Sequence, residues 1–113
     1  MDAWEHPRPP AGAITVVSEG PDYRVLCLRG EVDTAVATSF TGSRKRERVV
    51  VDAIDAGGVT FMSSSALALM LTCVEASVAA GRHPVLRAAS HQVDRALRLA
   101  GIESVFARPE SSG

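Results

Sequence analysis

The feature that narrows the fold most is an extended-type run that passes straight into a serine-rich helix start. Val59-Thr60-Phe61-Met62 is followed at once by Ser63-Ser64-Ser65, and apolar residues then recur at helical spacing to about Ala80, with Gly81 as the stop. Leu67, Met70, Leu71, Val74 and Val78 form the stripe, and Ala66, Leu69 and Cys73 widen it. A helix with so broad an apolar face packs against a sheet along most of its length. A strand feeding such a helix is the unit of an α/β layer.

The remaining segments fit that unit. Ala13–Ser18 and Tyr23–Arg29 are β-rich and flank the turn cluster Glu19-Gly20-Pro21-Asp22, which makes a hairpin. In the second run Tyr23, Val25 and Cys27 share one face and Arg24, Leu26 and Leu28 the other, so both faces are at least partly covered. Asp33 or Thr34 caps a short helix from Thr34 to about Phe40, with Ala35, Val36 and Phe40 inward and Thr41-Gly42-Ser43 as its stop. Val49-Val50-Val51, continuous and β-branched, reads as the central strand, and Asp52 to Gly58 as a loop with Gly57-Gly58 as its turn. His83–Arg87 reads as a short strand, and Ser90 caps a third helix with Val93, Ala96, Leu97 and Ala100 on one face and Gly101 as its end. Ile102–Phe106 is expected as a last short strand or extended tail. The expectation is a single α/β domain over residues 13–108, a small mixed β-sheet of four to five strands packed against three to four helices. Residues 1–12, with Pro7, Pro9 and Pro10, and residues 109–113 are expected as flexible tails.

Composition removes several function classes. A chain of 113 residues with 46% hydrophobic and 22% charged residues builds one packed core and has no room for two domains. Twelve basic against thirteen acidic residues leave a net charge of −1, so no global field draws in a phosphate backbone or an anionic membrane. The one basic run, Arg44-Lys45-Arg46 with Arg48, has no interleaved aromatics and reads as a solvated connection, so no nucleic-acid partner is expected. The longest apolar run, Ala66 to Val74, is far short of the roughly 20 residues of a membrane span. The N-terminus lacks a basic then apolar leader, and Cys27 and Cys73 read as small core residues, so a cytoplasmic, reducing location is expected.

No enzyme of its own can be assembled. His6, His83 and His91 make no triad with a serine, and no glycines frame a nucleophile elbow. Glu31, Asp33, Asp52 and Asp55 lie near strand ends, where acids are commonplace, and no Cys or His pair has ligand spacing, so neither metal nor cofactor is expected. Gly57-Gly58 lacks the Lys-Ser/Thr of a phosphate-binding loop. The serine triplet has two readings. Ser63 is an N-cap with Ser64 and Ser65 as bystanders, or the exposed first turn is a place for a reversible phosphate, favoured by the helix dipole.

Leu28-Arg29-Gly30-Glu31-Val32-Asp33, Val49-Val50-Val51-Asp52, Val59 through Leu67 and Ala96 through Ile102, in that order and spacing, resemble the STAS domain of bacterial anti-sigma factor antagonists. The resemblance covers about Ile14 to Phe106 and implies a STAS-type fold and a function by partner switching. The unphosphorylated domain would bind an anti-sigma factor that is itself a serine kinase and so free a sigma factor for transcription. Phosphorylation would release the partner, and a phosphatase would reset the domain. The family motif Asp-Ser-Ser/Thr-Gly-Leu falls on Ser63-Ser64-Ser65-Ala66-Leu67, which makes Ser64 the implied phosphoacceptor. Glu31, Asp33, Ser63, Ser64, Ser65 and Leu67 become the implied partner-binding residues. Ser63 replaces the motif Asp and removes a fixed charge. Ala66 replaces the motif Gly and adds a methyl where a partner could approach the backbone. The loop read over Ala53 to Gly58 looks longer than the usual link to the motif. The oligomeric expectation is a monomer or weak dimer. A STAS adaptor without phosphorylation, in a signalling or lipid-transport complex, is the alternative, and a sensor binding a small anion at the long helix is a third.

Overall fold

The computed structural model describes residues 12–44 and 47–109. The tails expected over 1–12 and 109–113 lie almost wholly outside them. In chain order the elements are β1 (Ala13–Gly20), β2 (Tyr23–Val32), α1 (Thr34–Arg44), β3 (Ala53–Met62), α2 (Ser64–Ala79), β4 (Val85–Ala89), α3 (His91–Leu99) and a 3-10 turn (Glu103–Val105). The sheet order is β1-β2-β3-β4. β1 runs antiparallel to β2, and β2, β3 and β4 are parallel. This is the mixed sheet with helical connections that the pattern implies, with four strands and three helices.

Because β2, β3 and β4 are laid down side by side in one direction, crossovers of one hand put their helices on one face. The core has that composition. Ile14 and Val16 of β1, Leu26 and Leu28 of β2, Ile54 and Val59 of β3 and Leu86 of β4 pack with Phe40 of α1, Met70 and Cys73 of α2, and Val93 and Leu97 of α3. The opposite face carries no helix and is crossed by charge. Arg87 on β4 makes two 2.7 Å hydrogen bonds to Glu19 on β1. These are the two edge strands, so the pair spans β2 and β3. Asp55 joins at 3.6 Å. The Arg87 guanidinium holds the Glu19 carboxyl below its ordinary range. Cys27 lies half-exposed on this face rather than in the core, whereas Cys73 is buried and its thiol is pushed up to about 11 by desolvation.

Several boundaries depart from the local reading. Val49–Val51 precedes β3 instead of forming the strand. Val51 is fully buried, and its N–H donates to Ser77 Oγ at 2.9 Å, while Ser77 Oγ donates to Cys73 O at 2.7 Å. A helix side chain thus takes the place of a ladder partner. The expected loop over Asp52–Gly58 is the first half of β3, so no lengthened link exists. Gly57 and Gly58 sit where the register slips, with Cys27 opposite Asp55 but Arg29 opposite Gly58. A Cβ on Gly57 would come 3.2 Å from Ala88 Cβ, and one on Gly58 3.3 Å from Arg29 Cβ. The glycines serve a bulge in a strand rather than a turn. Helix α1 passes through Gly42 to Arg44, since one exposed glycine costs only about 1 kcal/mol. Its buried residues are Ala37 and Phe40, with Val36 half-buried and Ala35 exposed. Ile102–Phe106 forms no strand. It turns through the 3-10 segment, and Ala107 alone bridges to Val85.

At the N-terminal end of the parallel strands Asp52 is a junction. Its backbone N–H donates to Arg24 O (2.8 Å), Arg24 N–H donates to its carboxylate (2.9 Å), and Arg82 bridges it at 2.8 Å while also donating to Asp22 O. The Arg24 N–H and then Arg82 hold the Asp52 carboxyl below the usual range against some desolvation.

Candidate functional site

The opposite end of the parallel strands brings two helix starts together. Glu31 pairs with Phe61 and Val32 with Met62. One more ladder-type bond, Ser63 N–H to Val32 O at 3.0 Å, carries the pairing into the cap positions. Each chain then turns into a helix over a side-chain cap. Asp33 Oδ1 accepts from Val36 N at 2.9 Å to start α1, and Ser63 Oγ accepts from Ala66 N at 3.2 Å to start α2. The two first turns touch through a long 3.4 Å contact between Thr34 Oγ1 and Ser65 Oγ. Two positive dipole ends therefore lie beside Glu31 and Asp33, both exposed.

The serine triplet divides by environment. Ser63 is half-buried and used as the cap, Ser65 is half-buried against Thr34, and Ser64 is exposed. Leu67 is half-buried and packs on the core. Ala66 is fully buried in the core cluster, so its methyl fills interior space and meets no partner, contrary to the expectation from the motif. Gly12 closes the site from the strand side. Its N–H donates to Glu31 O at 3.1 Å, and a Cβ there would overlap that carbonyl oxygen, so only glycine admits the chain. Asp52 and Asp55 belong elsewhere, at the far end of the sheet and on its open face. Among the described residues no group of three or more His, Cys, Asp or Glu side chains is gathered. Among them, too, no helix is long and apolar enough to cross a membrane.

Phe61 and the α1–α2 groove escape the sequence pattern. Strand alternation would set Phe61 in the core beside Val59, but the register slips between Gly30 and Glu31, with Thr60 as the extra residue. The bulge re-aims the ring, which is 50% exposed next to the serine triplet. Between the two helices a groove of about 490 Å³ starts at Ser65 and is lined by Thr38, Thr41, Ala68, Leu69 and Thr72. Small side chains at those positions signal a groove only once α1 and α2 are known to be neighbours. A larger cavity of about 550 Å³ lies farther along α2, lined by Phe40, Arg48, Val49, Leu69, Cys73 and Ala76, and does not reach Ser64.

Residues 14–112 match the STAS domain. The chain belongs to the STAS domain family. Solved structures share its fold, among them two forms of SpoIIAA. The anti-sigma factor antagonist SpoIIAA in its unphosphorylated form matches with a TM-score of 0.60 at 18% identity, over 88% of this chain and 90% of that one. The Bacillus cell fate determinant SpoIIAA in its phosphorylated form matches with a TM-score of 0.57 at 18% identity, over 88% of this chain and 93% of that one. At such identity the likeness is one of fold. No curated protein sequence matches the chain.

Proposed function

We propose that this STAS domain is an anti-sigma factor antagonist that works by partner switching, with Ser64 as its phosphoacceptor. The unphosphorylated surface formed by Glu31, Asp33, Ser64 and the neighbouring Ser63, Ser65 and Leu67 binds an anti-sigma factor with serine kinase activity. Phosphorylation releases it, and a phosphatase restores binding. The observation that carries the reading is the division within the triplet. Only Ser64 is exposed, while its neighbours are occupied by the cap and by Thr34.

The physics of the switch is local. A phosphate of about −1.5 to −2 charge in the first turn of α2 is tolerated by the helix, because the dipole favours it. It also adds negative charge to a surface already carrying Glu31 and Asp33. Two unit charges about 8 Å apart at an effective dielectric constant near 20 repel by about 2 kcal/mol, or about 30-fold in a binding constant if a partner must bury both. The test is affinity capture from the native host with wild type, Ser64→Ala and Ser64→Asp as baits, with mapping of bait phosphosites. An ATPase-fold anti-sigma factor on the first two and not the third supports the switch. Equal recovery on all three contradicts it.

Ser63 in place of the motif Asp favours a second reading, because the cap is kept while the fixed charge beside Ser64 is lost. The domain is then an adaptor whose partner binding ignores Ser64, and the same three baits would recover the same proteins without phosphoserine.

A further inference from the structure

The two edges of the sheet are finished differently. The start of the β4 edge is covered by the chain itself, for Leu86 N–H donates to Ala107 O at 2.7 Å and Val85 bridges Ala107 in parallel. Pro84 precedes that strand and Arg87 charges it. β1 has no such cover, since among the described residues it pairs only with β2. From Ala13 to Ser18 it carries no charge, no proline and no glycine, and Ile14–Val17 is β-favouring throughout. Natural edges are blunted by lysine, proline or a bulge. Here the only such devices, the irregularity between Ser18 and Gly20 and the Glu19 charge, sit at one end, and Glu19 is drawn across the open face by Arg87.

We propose that β1 is a homodimer interface, at which two copies of this chain pair antiparallel about a two-fold axis at Val16 and join their sheets into one of eight strands. The segment is self-complementary in that register. Val16 faces Val16, Thr15 faces Val17, Ile14 faces Ser18 and Ala13 faces Glu19, so no like charges meet. Ile14 and Val16 lie on the helix-covered side and Thr15 and Val17 on the open side, where Val17 is 41% exposed. A slip of one residue would set inward residues against outward ones. Among the described residues β1 is the barer of the two edges, because β4 carries the Ala107 bridge and Arg87, so pairing closes at two chains and does not propagate. Seven residues of edge pairing from each copy, Ala13 to Glu19, make a small interface, and the dimer is accordingly weak and concentration-dependent.

Light scattering on the full chain from micromolar to millimolar concentration tests this, with two charged variants. Thr15→Lys with Val17→Lys sets lysine against lysine at both cross-strand positions, and Thr15→Glu with Val17→Glu does so with glutamate. Both positions are exposed, and thermal melts establish that the variants fold. Wild type is expected to pass from one chain mass to two. Each variant alone dimerises about tenfold more weakly, and an equal mixture of the two regains the two-chain species. Wild type remaining at one chain mass, variants that self-associate like wild type, a mixture that stays monomeric, or open-ended aggregates would each overturn the proposal.

Discussion

The two ends of the parallel strands are built from similar residue types to opposite effect. At the N-terminal end, Asp52, Arg82, Arg24 and the buried Ser77 engage one another and the backbone, joining the β1–β2 hairpin, the start of β3 and the end of α2. At the C-terminal end, Asp33 and Ser63 only cap their own helices. Glu31, Ser64 and the Phe61 ring face outward there, and one long 3.4 Å contact links the two first turns. A polar group consumed by the fold has little left to offer a partner. The locked end holds the strands in register, which lets the other end present unengaged groups at fixed positions.

That contrast can be broken from either side. The largest effect on stability is expected from Ser77→Ala, which strands the buried Val51 N–H and costs about 1–3 kcal/mol in a denaturant titration, while leaving any partner bound through Ser64 unaffected. A loss comparable to a surface change would mean that the end is not locked. Ser63→Ala should cost about 1 kcal/mol by removing the α2 cap, whereas Ser63→Asp keeps the cap and adds a favourable dipole interaction. If Ser63→Asp melted as low as Ser63→Ala, the capping assignment would be wrong.

Acid should weaken the locked end. The folded Asp52 carboxyl titrates below its unfolded value, so its contribution is present above about pH 4 and is lost as the pH falls through the lower folded value. Asp52→Asn should therefore be less stable than wild type at neutral pH, with the gap closing on acidification. A gap that does not vary with pH would remove Asp52 as an electrostatic junction. The smallest stability effect belongs to Phe61→Ala, within about 0.5 kcal/mol because the ring is half in solvent, against about 3–5 kcal/mol for a core phenylalanine. A large loss would place the ring in the core and undo the bulge argument.

What could be read ahead of the structure was written in local chemistry. The caps at Ser63 and Ser90, and the ends at Gly81 and Gly101, both at positive φ, are one-residue signals and stand where the pattern puts them. The serine triplet was legible for the same reason. Gly57-Gly58 misled because glycine marks a bulge and a turn alike, and only the close approach of Ala88 and Arg29 separates them. Val49–Val51 has strand composition but finds its hydrogen-bond partner on a helix 26 residues away. The α1–α2 groove and the outward turn of Phe61 depend on which elements become neighbours, so no local pattern holds them.

In the proposed switch, charge on Ser64 alone decides whether a partner binds. The decisive measurement is calorimetric titration of the proposed partner, an anti-sigma factor recovered by the wild-type bait, against the unmodified chain and the same chain phosphorylated on Ser64. A loss of about 30-fold or more in affinity is expected, with the fold unchanged by circular dichroism. Equal affinities for the two forms would contradict it.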